Sequence, residues 1–321
     1  MTDNDARPSA ILWTLILAVS AVSLSIWAIT GVGLKAGEVL IILALAAAVL
    51  GISAFYTYRR PDIRLARLAR AMTELLLLIF MIGSLSYSGA TLAMPLRDEW
   101  FQAMDEILGF DWRYWLSVLN DNPNLHEVLV VAYHSMLPQT VAVPIILAAI
   151  GAYRHLDRYL LSYGIAAVIT VAIAAAVPAL SPIVHLGIER SEYPNIVLAV
   201  PLEFVEQAKA LRDGSMKLVD LSGAQGLVTF PSFHTVSAVT LILAFWAVPY
   251  LRWVGLGLNV LMLLAIPIEG SHYLVDVIAG AALAIAAWGA AGWLLKRERQ
   301  GRPSSHPSLR PIAVPERLIR L

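Results

Sequence analysis

Long apolar runs alternate with short polar links along the whole chain, and most of the runs approach the ~20 residues a helix needs to cross a bilayer's hydrocarbon. Eight stand out, over residues 10–30, 38–58, 71–93, 126–150, 159–180, 229–250, 253–268 and 271–295. Their apolar residues are nearly continuous and lack the alternation of a membrane barrel strand, so each predicts a helix. The fourth is the least oily, with His126, Glu127, His134 and Gln139, and the seventh is short and stops at Pro267. The first is longer than the ~7–15-residue core of a secretory signal and is expected to remain as a membrane helix. Two polar segments interrupt the series. Residues 94–125 contain RDEWFQAMDEILGFDWRYW, expected to lie along the membrane surface as an interfacial helix; residues 181–228 form the longest loop.

Composition agrees with an all-α polytopic membrane protein. Hydrophobic residues make up 59% of the chain and charged ones 14%, against about a quarter charged in soluble domains. With a formal net charge of zero and no basic stretch interleaved with aromatics, nucleic acid is not an expected partner. The absence of cysteine removes disulfides, thiolate nucleophiles and cysteine-ligated metal centres. No internal repeat or low-complexity tract interrupts the pattern.

Charge placement sets a direction. If the N-terminus is cytoplasmic and every run crosses, the outer links receive only Lys35, Arg97, Arg113, Arg190, Lys209, Arg212 and Lys217 of the 23 lysines and arginines. The rest fall inside: Arg7, the Arg59–Arg70 cluster, Arg154, Arg158, Arg252 and the basic tail. The positive-inside rule therefore predicts N-in/C-in, with both long polar segments facing outward. That fits an integral protein of a bacterial inner membrane, its chemistry facing periplasm or exterior.

Two polar motifs then share one depth. TFPSFHTVSA (229–238) opens the sixth run at its outer end, and EGSHYLVDVIAG (269–280) opens the eighth. His272 and Asp276 stand four apart, on one face of a helix, where the carboxylate can hold one imidazole nitrogen and leave the other basic. Ser232 or Pro231 makes a helix start with His234 in its first turn, a place where outward N–H groups favour phosphate. Two histidines, a carboxylate and such a helix end suffice for phosphoryl transfer.

PSFH followed by HYLVD resembles the second and third signature motifs of the type 2 phosphatidic acid phosphatase (PAP2) superfamily. The His-Tyr-x-x-Asp form is similar to its inositol phosphorylceramide synthase branch. The resemblance covers roughly residues 71–295. It implies a six-helix core behind an N-terminal two-helix hairpin (1–62), a catalytic membrane domain over 63–295 and a basic cytoplasmic tail over 296–321. It also implies a double displacement without metal or other cofactor. His272 would be the nucleophile forming a phosphohistidine, Asp276 its orienter, His234 the acid and then base, and Ser232 a phosphate contact, with Tyr273 of the same motif grouped among the substrate-binding residues. The family's Lys-x6-Arg-Pro string is missing here, and its arginine six residues before the last histidine is replaced by Ile266. The loop cations Lys209, Arg212 and Lys217 are the expected substitutes, with Arg212 preferred as the phosphate ligand on its RDG turn. The resemblance thus implies transfer of a phospho-headgroup, inositol phosphate being one candidate, from a phospholipid donor to a lipid alcohol, or else hydrolysis of a lipid phosphate or polyprenyl pyrophosphate.

Other readings compete. His234, His272 and Asp276 could be ligands of a metal-dependent membrane enzyme. A transporter or haem carrier would need its polar residues near the midplane, whereas these gather at one end. Ser232 could be only a helix cap, and Arg212 only a loop charge. His134 is expected either to line a lipid cavity with Tyr133 and Gln139 or to pack, hydrogen-bonded, in the bundle interior. His126, His155 and His185 show no partner, and Trp100–Trp115 predicts an interfacial anchor or one wall of a lateral lipid entrance.

Overall fold

The computed structural model describes residues 9–200, 203–220 and 227–301. Arg7 and most of the basic tail lie outside the described residues. Among the described residues, helices α1 (Ala10–Thr30), α2 (Ala36–Tyr58), α3 (Ile63–Ala90), α8 (Tyr153–Ala176), α12 (Arg252–Glu269) and α13 (Leu274–Gly301) are the six long and apolar enough to cross a membrane. Between α3 and α8 come α4 (Asp98–Ile107), α5 (Trp112–Asp121), α6 (Pro123–His134) and α7 (Met136–Ala149). The single turn α9 (Pro182–His185), α10 (Glu203–Arg212) and the short α11 (Phe233–Phe245) complete the order. The chain is thus a mostly helical protein whose long apolar helices suit a polytopic membrane bundle.

Three elements differ from the sequence pattern. The fourth apolar run is two helices, α6 and α7, bent by 45° at Ser135, and counts as a seventh span only if the pair crosses together. The sixth run yields only 13 residues of helix in α11, about 20 Å at 1.5 Å per residue. The third helix starts at Ile63 rather than 71, because the Asp62 carboxylate caps it by accepting from the N–H groups of Arg64 and Leu65. Arg67 therefore lies within α3, buried and paired with Asp157 of α8.

Packing centres on α3, α8 and α11. The stripe Leu12, Ile16, Val19 and Ser23 turns α1 onto this core, while α2, with only Ala46 and Ser53 buried, lies against α3. Ala166 of α8, Val236 of α11 and Ala284 and Ala287 of α13 form a small-residue seam, the packing mode membrane helices use for close approach. A two-residue parallel pair, β1 (Gly33–Leu34) with β2 (Leu218–Val219), and the Lys35–Asp220 ion pair tie the α1–α2 link to the loop before α11. The two links therefore lie on the same side of the bundle.

Candidate active site

The starts of α11 and α13 touch. Ser232 caps α11, its hydroxyl accepting from Thr235 N–H at 3.4 Å, while its own N–H donates to the Asp276 carbonyl at 3.1 Å. Gly280 permits this approach: a Cβ there would lie 2.6 Å from the Ser232 carbonyl oxygen and 2.9 Å from Thr235 Cβ. His234, in the first turn of α11, is thereby held against the helix that carries Asp276.

The second motif is clamped from several directions. His272 Nδ1 is 3.1 Å from Asp276 Oδ2, and the same oxygen accepts from Tyr273 N–H at 2.9 Å. Asp276 is fully buried and His272 nearly so, so the pair forms where water competes little. Ser271, just before the histidine, has φ +51°, and its hydroxyl is hydrogen-bonded to that of Ser181. A non-glycine residue in the left-handed region carries strain that its surroundings must hold; the Ser181 bond supplies one such hold.

Residues 94–125 do more than anchor the chain at an interface. Asp105 of α4 accepts from the first N–H groups of α13, Leu274 at 2.8 Å and Val275 at 3.0 Å. Asp98 accepts from the Tyr273 hydroxyl at 3.0 Å and from the N–H groups of Leu180 and Ser181. Trp112 of α5, 2% exposed, donates its indole N–H to the His272 carbonyl at 3.1 Å. Trp112 thus faces inward, although Trp100 and Trp115 are exposed as an interfacial anchor requires.

Each expected site residue can now be placed. His272, Asp276, His234 and Ser232 come together. Tyr273 is buried, its hydroxyl given to Asp98. His134 is exposed, not packed in the interior. Its neighbour Tyr133, 3% exposed, makes the inward contact: its hydroxyl is 3.2 Å from His234 Nδ1, and the two rings stack with centroids 4.1 Å apart. A Cβ on Gly270 would lie 3.0 Å from that hydroxyl and 2.8 Å from His272 Cδ2, so the glycine leaves room for both side chains. The loop cations have other partners: Arg212 donates to the Met94 carbonyl at 2.8 Å, and Lys209 pairs with Glu206 at 2.8 Å. Lys217 contributes its carbonyl to the β1 edge. His126, which the sequence leaves without a partner, is 3.1 Å from the buried Glu269 carboxylate. Glu269 also accepts from Ala199 N–H at 3.2 Å, linking the loop after α9 to the residues just before His272. Among the described residues no three His, Cys, Asp or Glu side chains are grouped to hold a metal ion.

The PAP2 superfamily model matches residues 99–290, from within α4 to within α13. No curated protein and no solved structure matches the chain.

Proposed function

The chain belongs to the PAP2 superfamily, and we propose that within it the protein is an integral membrane lipid phosphotransferase. It would move a phospho-headgroup, inositol phosphate being one candidate, to a lipid alcohol through a phosphohistidine. The observation that carries this is the His272–Asp276 pair at 3.1 Å, beside a helix start that bears His234 and is bonded to the Asp276 backbone.

The steps follow from those contacts. With Asp276 accepting from Nδ1–H, His272 Nε2 keeps its lone pair for phosphorus. As the N–P bond forms, the P–O bond to the leaving group breaks, its electron pair goes to the departing oxygen, and protonated His234 supplies the proton. In the second displacement the lipid alcohol gives its proton to His234 while its oxygen attacks phosphorus, breaking the N–P bond and restoring His272. Tyr133 steadies His234 through Nδ1 and the stacked ring, leaving Nε2 as the transferring atom. Ser232 and the first turn of α11 meet the phosphate oxygens with the positive helix end.

Arg212 is the proposed cation. It lines a crevice with Leu180 and Val228, next to Ser181 and Thr229, and would leave the Met94 carbonyl to reach the phosphate; full turnover by Arg212→Ala would remove it from this role. The replacement of the family arginine by Ile266 supports transferase over phosphatase. The deciding experiment incubates the purified chain with headgroup-labelled and acyl-labelled phospholipids, with and without lipid alcohols. A new phosphodiester lipid is expected, whereas inorganic phosphate alone would make the protein a phosphatase. Acid-labile label should be trapped on His272, vanish in His272→Asn and form more slowly in His234→Ala.

A further inference from the structure

The loop after α9 is tied along α5. Arg113 donates to the Glu192 carboxylate at 2.8 Å and to the Leu186 carbonyl at 2.9 Å. The Asn195 N–H and side-chain amide donate to Asn120 at 3.0 and 2.9 Å. Between α9 with this loop, α5 and α10 lies a cavity of about 570 Å³, within the ~300–1,000 Å³ typical of small-molecule sites. Nine of its fifteen described lining residues are aliphatic, Leu116, Ile183, Ile196 and Leu198 among them. Such a wall offers apolar surface and few hydrogen bonds, so it selects a chain and not a headgroup.

Three of its walls are bonded to the candidate active site. Leu116 stands one turn after Trp112 on α5, whose indole donates to the His272 carbonyl. Ile183 follows closely on Ser181, whose hydroxyl is bonded to that of Ser271. Val200 donates its N–H to the Glu269 carbonyl at 3.2 Å, beside the Ala199 bond to that residue's carboxylate. Exposed Trp115, next to Leu116, sets this wall at the membrane interface. The charged rim discriminates among lipids. It carries Glu189, Glu203 and Glu206 against Arg190 and Lys209, and Lys209 is paired with Glu206. A phosphate-bearing headgroup would meet net negative charge there, whereas a neutral hydroxyl would not be repelled.

We propose that this cavity holds the apolar chain of the neutral lipid alcohol that accepts the phospho-headgroup, not a chain of the phospholipid donor. This role rests on the phosphotransferase reading above and gives the acceptor its own place beside His272.

Photolabelling of the full chain in micelles tests it without turnover. A diacylglycerol with a diazirine at the end of one chain should label peptides within residues 183–200. Unlabelled diacylglycerol should compete, and phosphatidylglycerol with the same chains should compete at least about tenfold more weakly. Leu198→Trp fills the cavity and should cut the labelling roughly tenfold, the effect of displacing about two methylenes. Should that variant misfold, Val184→Trp, at a position 37% exposed, should move the labelling the same way. Labelling unchanged in Val184→Trp, or confined to other peptides, would overturn the site. Equal competition by phosphatidylglycerol would overturn the choice of acceptor over donor. Headgroup transfer to diacylglycerol without label in 183–200 would sink the cavity and leave the phosphotransferase reading standing. Label there without transfer to any lipid alcohol would sink that reading and keep the lipid site.

Discussion

At the scale of single residues, two side chains outside the motifs can be tested separately, Tyr133 for turnover and Asp105 for stability. Tyr133 bonds His234 and stacks on it, and Tyr133→Phe separates those roles by keeping the ring and removing the hydroxyl. A hydrogen bond to an ionisable group contributes about 1.5–3 kcal/mol, so turnover should fall roughly tenfold to a hundredfold. KM should barely move, because the bond acts on proton transfer and not on substrate binding; a rise in KM at constant kcat would show that the hydroxyl contacts substrate instead. Asp105 acts on stability. Burial pushes its carboxyl above the ordinary range, against the pull of the Leu274 and Val275 N–H groups. The folded chain therefore holds this proton more tightly than the unfolded one. The group's stabilising contribution is complete below the unfolded value of about 3.9 and is lost as pH rises through the folded pKa. Asp105→Asn keeps an acceptor for one of the two N–H groups, sets its amide NH2 against the other and removes the titration, so it should flatten that slope at some cost in stability. Asp105→Ala uncaps α13 and should cost about 0.5–2 kcal/mol. Melting curves of both variants from pH 4 to 7 check the sign and the size.

At the scale of elements, the site depends on how tightly two helix starts meet. Gly280→Ala places a methyl 2.6 Å from the Ser232 carbonyl oxygen, which overpacking experience sets at about 1–3 kcal/mol. A shift of α11 by about 1 Å would also cost roughly a hundredfold in rate. Gly289→Ala is the control, since its Cβ would meet nothing within 4 Å, and it should leave both melting and turnover unchanged. The helices themselves were largely legible, because long apolar runs admit only one satisfied backbone. The motif pair was legible as a pair but not for the helical reason: His272 lies two residues before α13 begins at Leu274, and Asp276 meets it from the first turn of that helix. The clamp was not. Asp105 and Trp112 act across 169 and 160 residues of sequence at the Asp105–Leu274 and Trp112–His272 bonds, and Asp98 across 175 at its bond to Tyr273; no local period announces such contacts. An acidic, aromatic segment reads equally well as a surface anchor. Tyr133 was legible only as a neighbour of His134: adjacent helical residues point about 100° apart, and the local pattern does not say which of the two faces the bundle.

At the scale of the whole molecule, the question is whether α11 carries the chain from one face to the other. Its 13 helical residues fall short of the ~30 Å of hydrocarbon, yet Thr235–Ala238 and Leu241 are buried by neighbouring helices, so its ends need not contact lipid. Irregular backbone at membrane depth is tolerated where protein encloses it. If α11 crosses, the exposed Ser191 and the exposed Tyr250 lie on opposite sides, because α11 is the only apolar helix between them among the described residues. The chain contains no cysteine, so a single introduced thiol reports its own location without background. In intact cells a membrane-impermeant maleimide should label Ser191→Cys at once and Tyr250→Cys only after permeabilisation. Labelling of both from the same side would make α11 a re-entrant element and reverse the side to which α12 starts. Lys296 and the histidines near Asp276 would still be separated by the length of α13, so the two ends of that helix would stay at different depths in either case.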